Sequence, residues 1–259
     1  SRAVAGRLST GVQHLLKKNK VTVFDDHASL GAQRGDQREI KLASGGALTA
    51  RNVILATGAR ARSLPGIEPD GTSILTYREA MVPETMPKSL VIIGSGAIGS
   101  EFASFYLDMG VEVTLVEAME RILPVEDVEI SDFVQKAFVK RGMKIVTEAR
   151  LSSLKAGSGG VTATFEGNQA AIVAERAIVA VGITGNLEKL GLEGTKVKID
   201  RGHIVTDKWG ATGELGVFAI GDVTGPPWLA HKASHEGMIC VEKIAGLKDV
   251  HAIGAGAVP

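Results

Sequence analysis

Six consecutive residues, Gly94, Ser95, Gly96, Ala97, Ile98 and Gly99, carry the strongest chemical signal in the sequence. They follow the apolar run LVII at 90–93 and open a segment with helical spacing. A strand that turns sharply into a helix at such a loop leaves free N–H groups and the positive end of the helix dipole facing outward, an arrangement suited to a pyrophosphate. The first glycine permits the tight turn, the second lets a phosphate approach the backbone, and the third lets helix and strand pack closely. Glu117 ends the next apolar strand, eighteen residues beyond Gly99. A carboxylate there accepts hydrogen bonds from both ribose hydroxyls of an adenosine and repels a 2′-phosphate, so the pattern favours NAD over NADP. A glycine-rich turn serving packing alone would not require the strand before it, the helix after it, the second strand and the acid at its end.

The other candidates are weaker. Glu101 lies two residues past Gly99, where its spacing suits a favourable charge at a helix N-terminus. Cys240 is the only cysteine and lies on the apolar stripe of GMICVEKIAG, which reads as a buried core thiol rather than a nucleophile. A single cysteine excludes an internal disulfide, a CxxC pair and a cysteine-rich zinc site within these 259 residues. His231 and His235 are four apart on one helical face, but no third ligand is near in sequence, and no metal site is expected. His14, His27, His203 and His251 carry no signal.

The elements around these residues imply an α/β fold. A helix over 1–19, with Leu8, Val12, Leu15 and Leu16 at helical spacing, ends in a basic run. Short strands follow, VTVF, REIKL, ALTA and NVILATG, reading as an antiparallel meander whose last strand (52–56) is buried. The window 60–88 holds four of the eight prolines and reads as a connector between domains. Then LVIIG, AIGSEFASFYLDMG, VEVTLVE, a helix over about 127–141 and MKIVTEA alternate as strand and helix, which implies a parallel sheet with right-handed crossovers. The first helix is expected to bury Ile98, Phe102, Phe105 and Met109, the second Ile130, Phe133, Val134, Ala137 and Phe138; Gly110 and Gly142 stop them. Short strands return over 151–175, then RAIVAVG as a buried strand, a hairpin-like KVKID-RG-HIVTD, the apolar strand GVFAIGD and a helix over 229–245; the terminal AIGAGAVP looks unfinished. The expected organisation is three segments: 1–65 with the meander; 66–190, a Rossmann-type NAD-binding domain; and 191–259.

Composition excludes several classes. Lys+Arg and Asp+Glu are both 29, so the neutral chain has no general attraction for nucleic acid or an acidic membrane surface. No apolar run approaches the ~18 residues that span a bilayer, and no secretory apolar core opens the chain. The 32 glycines show no collagen period and imply many tight turns. The expected location is the cytoplasm, or the mitochondrial matrix in a eukaryote.

ILATGA, VIIGSGAIGSEFASFYLDMGVEVTLVEAMERILP, AVG, VFAIGD and LAHKASHEG, in that order, resemble the flavin-dependent disulfide reductases of the class I pyridine nucleotide-disulfide oxidoreductase family, the dihydrolipoamide dehydrogenase branch most closely. The resemblance implies an enzyme that transfers electrons from dihydrolipoamide through a redox disulfide to FAD and on to NAD, with 1–65 a partial FAD-domain segment and 191–259 a central or FAD-domain segment. On that likeness Gly94, Ser95, Gly96, Ala97, Ile98, Gly99 and Ser100 cradle the NAD pyrophosphate, and Glu117 holds the adenosine ribose. Leu151 lies beside the adenine and Gly182 near the nicotinamide half. Glu101 matches a glutamate near the nicotinamide that pairs with a lysine beside the redox disulfide, a supporting catalytic role. On the flavin side, Ala56, Thr57 and Gly58 match a loop that touches FAD, Asp222 the carboxylate that binds the ribityl chain, and Leu229, Ala230 and His231 backbone contacts near the flavin ring. Ala28 matches a small residue near the FAD adenine.

The resemblance also implies lipoyl domains of 2-oxoacid dehydrogenase complexes and a second copy of the same protein as partners. Five features depart from it. The family's CxxxxC pair, its own FAD-binding GxGxxG and its His–Glu base have no counterpart here, so the chain reads as a central piece that is inactive alone. Asp26 stands where glycine is usual, and Ile183-Thr184-Gly185-Asn186 replaces the commoner Arg-x-Pro-Asn. Two alternatives remain open: a non-catalytic NAD-binding module, and part of a glutathione or mercuric reductase, which Glu117 disfavours because those relatives mostly use NADP.

Overall fold

The computed structural model describes residues 2–253; the end of AIGAGAVP and Pro259 lie outside the described residues. The chain forms two compact units: Gly58–Asn186, and the flanking Ser1–Thr57 with Leu187–Pro259. The unit boundaries thus fall at 57/58 and 186/187, where the sequence reading puts 65/66 and 190/191, and the two flanks share one unit.

In the central unit, five strands form a parallel sheet in the order Ile74–Leu75, Arg176–Val179, Ser89–Ile93, Glu112–Val116, Lys144–Val146. Both faces are covered, which is why its strands read as unbroken apolar runs. Leu90 and Ile92 point to one face, packing with Ala103, Tyr106 and Phe138 of the helices. Val91 and Ile93 point to the other, packing with Leu154, Val161, Ala163 and Phe165 of an antiparallel three-stranded sheet, Leu151–Gly157, Gly160–Phe165 and Ile172–Ala174. The proline-rich window is part of this unit. It carries the edge strand Ile74–Leu75 and a short helix, Tyr77–Ala80, closed by a Thr76–Glu79 capping box. The Tyr106 hydroxyl donates to the Ala80 carbonyl at 2.6 Å, and burial raises its pKa above the usual 10.0.

The two crossover helices, Ala97–Asp108 and Val128–Lys140, are where expected, with Gly110 and Gly142 at positive φ beyond them. Their inward faces correct the sequence reading. The first buries Gly99, Ser100, Ala103 and Tyr106, while Phe105 and Met109 are half exposed. The second buries Ser131 and Phe138, while Ile130 and Phe133 face out. The first helix is set by the close approach of its first turn to the sheet, which only small side chains allow; Phe102 and Val134 pack against the core as expected, while Phe105, Ile130 and Phe133 are turned away.

In the flanking unit, Ala28–Arg34, Gln37–Leu42 and Ala47–Ala50 form the antiparallel meander. VTVF is no strand: residues 21–24 are exposed and unpaired, and propensity alone does not make a strand without a partner. ASLGAQR takes its place in the meander. The last expected strand, Val53–Leu55, is not part of the meander; it pairs in parallel with Val217–Ala219. The hairpin Ile199–Asp200/His203–Ile204 turns through Arg201 and Gly202, both at positive φ, the geometry of a type I′ turn. Leu30, Leu55, Leu190, Ile204, Val217 and Val223 form the core. The Arg2–Lys18 helix contributes no buried residue; Leu8, Val12 and Leu15 are all more than half exposed.

Arg38 and Glu214 form a buried ion pair in this unit. The Glu214 carboxylate also accepts from the Lys196 N–H at 2.8 Å. That N–H first, and Arg38 with it, hold the Glu214 carboxyl below its ordinary 4.5.

Two predictions follow from this packing. Arg38→Met leaves Glu214 without its cation and lowers stability by about 3 kcal/mol; a loss under about 1 kcal/mol in chemical denaturation would place the pair among exposed ones. Because the folded pKa of Glu214 is depressed, its contribution is present at neutral pH and disappears as pH falls through the carboxylate range. Glu214→Gln should therefore flatten the acid limb of the melting-temperature profile; an unchanged limb contradicts this. Separately, amides of the Arg2–Lys18 helix should exchange hydrogen orders of magnitude faster than those of Ser89–Ile93, and equal protection would refute the reading of that helix as unsupported.

Candidate functional site

The strand Ser89–Ile93 lies between Glu112–Val116 on one side and Arg176–Val179 on the other. Strand order reverses between Ser89–Ile93 and Arg176–Val179, which creates the crevice at carboxyl ends where ligands bind in open parallel sheets. Gly94 stands at that point. Its φ is +98°, and a Cβ there would lie 2.5 Å from the Ala180 carbonyl oxygen. A Cβ at Gly99 would overlap the Gly94 carbonyl oxygen and lie 3.0 Å from its carbon. A Cβ at Gly96 would meet nothing within 4 Å. The three glycines therefore have three separate jobs. Gly94 passes close to the neighbouring strand, Gly99 brings the helix onto the loop, and Gly96 leaves its outer side bare.

No side chain caps the helix that starts at Ala97. Its first-turn N–H groups, on Ala97, Ile98 and Gly99, have no intrahelical acceptor, so donors and helix dipole face the space above Gly96. Ser95 and Ser100 direct their groups inward instead. The Ser100 hydroxyl donates to the Ser95 carbonyl at 2.9 Å and its N–H to the Gly96 carbonyl at 2.9 Å. Ser95 is fully buried and donates both its N–H (2.9 Å) and its hydroxyl (2.6 Å) to Glu117 Oε2. Of the loop 94–100, the amides of Ala97, Ile98 and Gly99 are left facing outward over Gly96.

Glu117 directly follows the strand Glu112–Val116 and is turned to this loop. Its Oε1 accepts the Met119 N–H at 3.0 Å. Glu101 is exposed on the same helix. Leu151 is partly buried and packs against the core. Gly182 lies just past the end of Arg176–Val179, at φ +107° with open space at its Cβ position, and its carbonyl accepts from the Arg62 N–H.

In the flanking unit, Ala56 and Thr57 follow Val53–Leu55, and Asp222 follows Val217–Ala219. These strands are paired in parallel, Leu55 opposite Ala219. Ala56, Thr57 and Asp222 therefore share one carboxyl edge. Asp222 is half-buried in the turn Gly221–Thr224. Leu229, Ala230 and His231 form the exposed start of the helix Ala230–Ile244. Gly58 begins the other unit at φ +70°. Ala28 is exposed at the start of its strand, and the nearby Asp26 accepts from Ser44 N–H and hydroxyl, which hold its pKa below the usual value.

Sequence reasoning missed two sets of contacts. Ser95 occupies the variable position of GxG, where residue type carries no signal. Lys232 and Glu236 form a largely buried ion pair at 2.8 Å, and Glu236 accepts the Gly221 N–H at 2.7 Å. Lys232 also donates to the Gly225 carbonyl, so the pair holds both ends of the turn bearing Asp222. Their i,i+4 spacing was the available clue. Cys240 is buried as expected, and burial followed by the Asp207 charge raises its pKa. Among the described residues no group of three metal-ligating side chains converges.

Comparisons with known proteins identify the family. The family model described as pyridine nucleotide-disulphide oxidoreductase matches residues 3–237. The chain is 50% identical over 278 residues to the dihydrolipoyl dehydrogenase of Rhizobium etli, covering 100% of this chain and 57% of that protein. It is 48% identical over 265 residues to that of Zymomonas mobilis, covering 100% of this chain and 56% of the relative. Among solved structures, LpdA from Mycobacterium tuberculosis matches with a TM-score of 0.90 at 30% identity, over 97% of this chain and 56% of that one. The chain spans just over half the length of the curated relatives it matches. With the glycine loop, the switch point and Glu117 in place, and with the model covering nearly the whole sequence, the chain belongs to the pyridine nucleotide-disulphide oxidoreductase family.

Proposed function

We propose that this chain supplies the NAD site and part of the FAD site of a dihydrolipoyl dehydrogenase, an enzyme that oxidises dihydrolipoamide and reduces NAD. The observation that carries the reading is the bare outer side of Gly96 beneath an uncapped helix N-terminus, with Glu117 beside it. A pyrophosphate fits a place where a Cβ would meet nothing and three amides lack acceptors. Bound together, flavin and nicotinamide supply the redox chemistry; the protein supplies placement and electrostatics. The amides of Ala97, Ile98 and Gly99 hold the diphosphate, Glu117 accepts from the adenosine ribose, Leu151 flanks the adenine, and Gly182 and Glu101 lie toward the nicotinamide. On the flavin side, Ala56, Thr57, Gly58 and Asp222 carry the contacts, with Leu229, Ala230 and His231 toward the ring and Ala28 toward the adenine. Asp222 fits this role because it shares an edge with Ala56 and Thr57 and its turn is anchored at both ends.

The proposed partners are lipoyl domains of a 2-oxoacid dehydrogenase complex and a second copy of the protein, in the cytoplasm or in a mitochondrial matrix. Among the described residues no helix is long and apolar enough to cross a membrane. Neither nucleic acid nor a membrane is a proposed partner, since the chain is neutral.

Calorimetric titration of the chain tests the NAD site. NAD should bind, and Gly96→Val should weaken it by about tenfold or more, the loss expected when a charged acceptor forfeits a hydrogen bond, with little change in melting temperature. Gly99→Val should instead lower the melting temperature, because its side chain meets backbone. No wild-type binding at millimolar NAD contradicts the proposal. A second test concerns catalysis. With FAD and NAD supplied, the 259-residue chain should not form NADH from dihydrolipoamide, because its one cysteine cannot cycle as a dithiol and is buried; NADH formation would contradict this.

A further inference from the structure

We infer that Ser95 is a positioning residue that sets the choice between NAD and NADP, its buried hydroxyl fixing Glu117 at the edge of the cofactor site. The inference rests on the reading of Glu117 as the ribose acceptor. An ionised carboxylate has about four acceptor sites. Three protein donors reach this one: Ser95 N–H and Ser95 Oγ–H on Oε2, and Met119 N–H on Oε1. Glu117 is 8% exposed and Ser95 0%, so these bonds lie where water does not compete. Ser95 is itself immobilised, since its carbonyl accepts both the Ser100 hydroxyl (2.9 Å) and the Leu123 N–H (3.0 Å). The loop that offers amides to a diphosphate thereby holds, through one side chain, the acid that meets the adjoining sugar.

The consequence concerns rejection as much as binding. A glutamate side chain has three torsions and, unrestrained, can rotate its charge away from an arriving 2′-phosphate. Held by Ser95, it must first break a buried charge-assisted hydrogen bond. The like charges then stay close, and discrimination comes from a repulsion the site cannot relax. Removing the hydroxyl should weaken NAD, whose diol loses a fixed acceptor, and leave NADP unchanged or better bound.

The test is titration of the 259-residue chain with NAD and, separately, NADP, for wild type, Ser95→Ala, Ser95→Cys and Glu117→Ala, with thermal unfolding of each. The ratio of the two affinities should favour NAD in wild type. In Ser95→Ala that preference should fall by about tenfold, the value of one hydrogen bond to a charged group. Ser95→Cys, a near-isostere with a weaker donor, should fall between, and it decides the matter if the alanine variant does not fold. An equal loss for both cofactors, or none, would make Ser95 a loop stabiliser and overturn the inference while leaving Glu117 in its role. If Glu117→Ala binds NAD as well as wild type, or if wild type binds no NAD, the reading beneath fails and the inference with it.

Discussion

The central unit depends on one steric condition: two backbone segments must touch where a side chain would not fit. Gly99 lies so close to the Gly94 carbonyl, and Gly94 to Ala180, that a Cβ at either would meet backbone atoms that cannot yield. This contact fixes where the helix Ala97–Asp108 begins and which way its N-terminus points. It also decides which residues that helix buries, turning Ala103 and Tyr106 to the sheet and Phe105 outward. The open place above Gly96 exists because its two neighbours in the motif are packed to the limit.

The same condition brings Glu117 into reach. Its strand neighbours Ser89–Ile93 in register, Ile93 opposite Val116, so the residue after the second strand meets the loop after the first. Ser95 then joins them. Sheet register, loop geometry and carboxylate position are thus one structure. The flanking unit shows the corresponding logic at smaller scale. A parallel pair of short strands places Asp222 beside Ala56 and Thr57, and the Lys232–Glu236 pair ties the intervening turn to its helix.

Much of this was legible in the residues. Strands covered on both faces announce themselves as LVII and TLV, helices stop where Gly110 and Gly142 take positive φ, and Arg201-Gly202 marks a tight hairpin. The illegible parts share a cause. Apolar periodicity finds a helix but not its orientation when apolar residues outnumber the positions the sheet can cover, as at Phe105, Ile130 and Phe133. VTVF has strand propensity without a partner, while Val53–Leu55 finds its partner more than 160 residues away. In the site, the glycines were readable because backbone constraints leave a mark on residue type. Ser95 was not, because a buried hydroxyl at a variable position looks like any small residue until its acceptor is seen.

The direct measurement of the central claim is the amide spectrum of the isotopically labelled chain during addition of NAD. The account predicts that the largest shifts fall on the N–H groups of Ala97, Ile98 and Gly99, with smaller ones at Ser95 and Met119 through Glu117. Large shifts elsewhere, with these amides unmoved at saturating NAD, would contradict it.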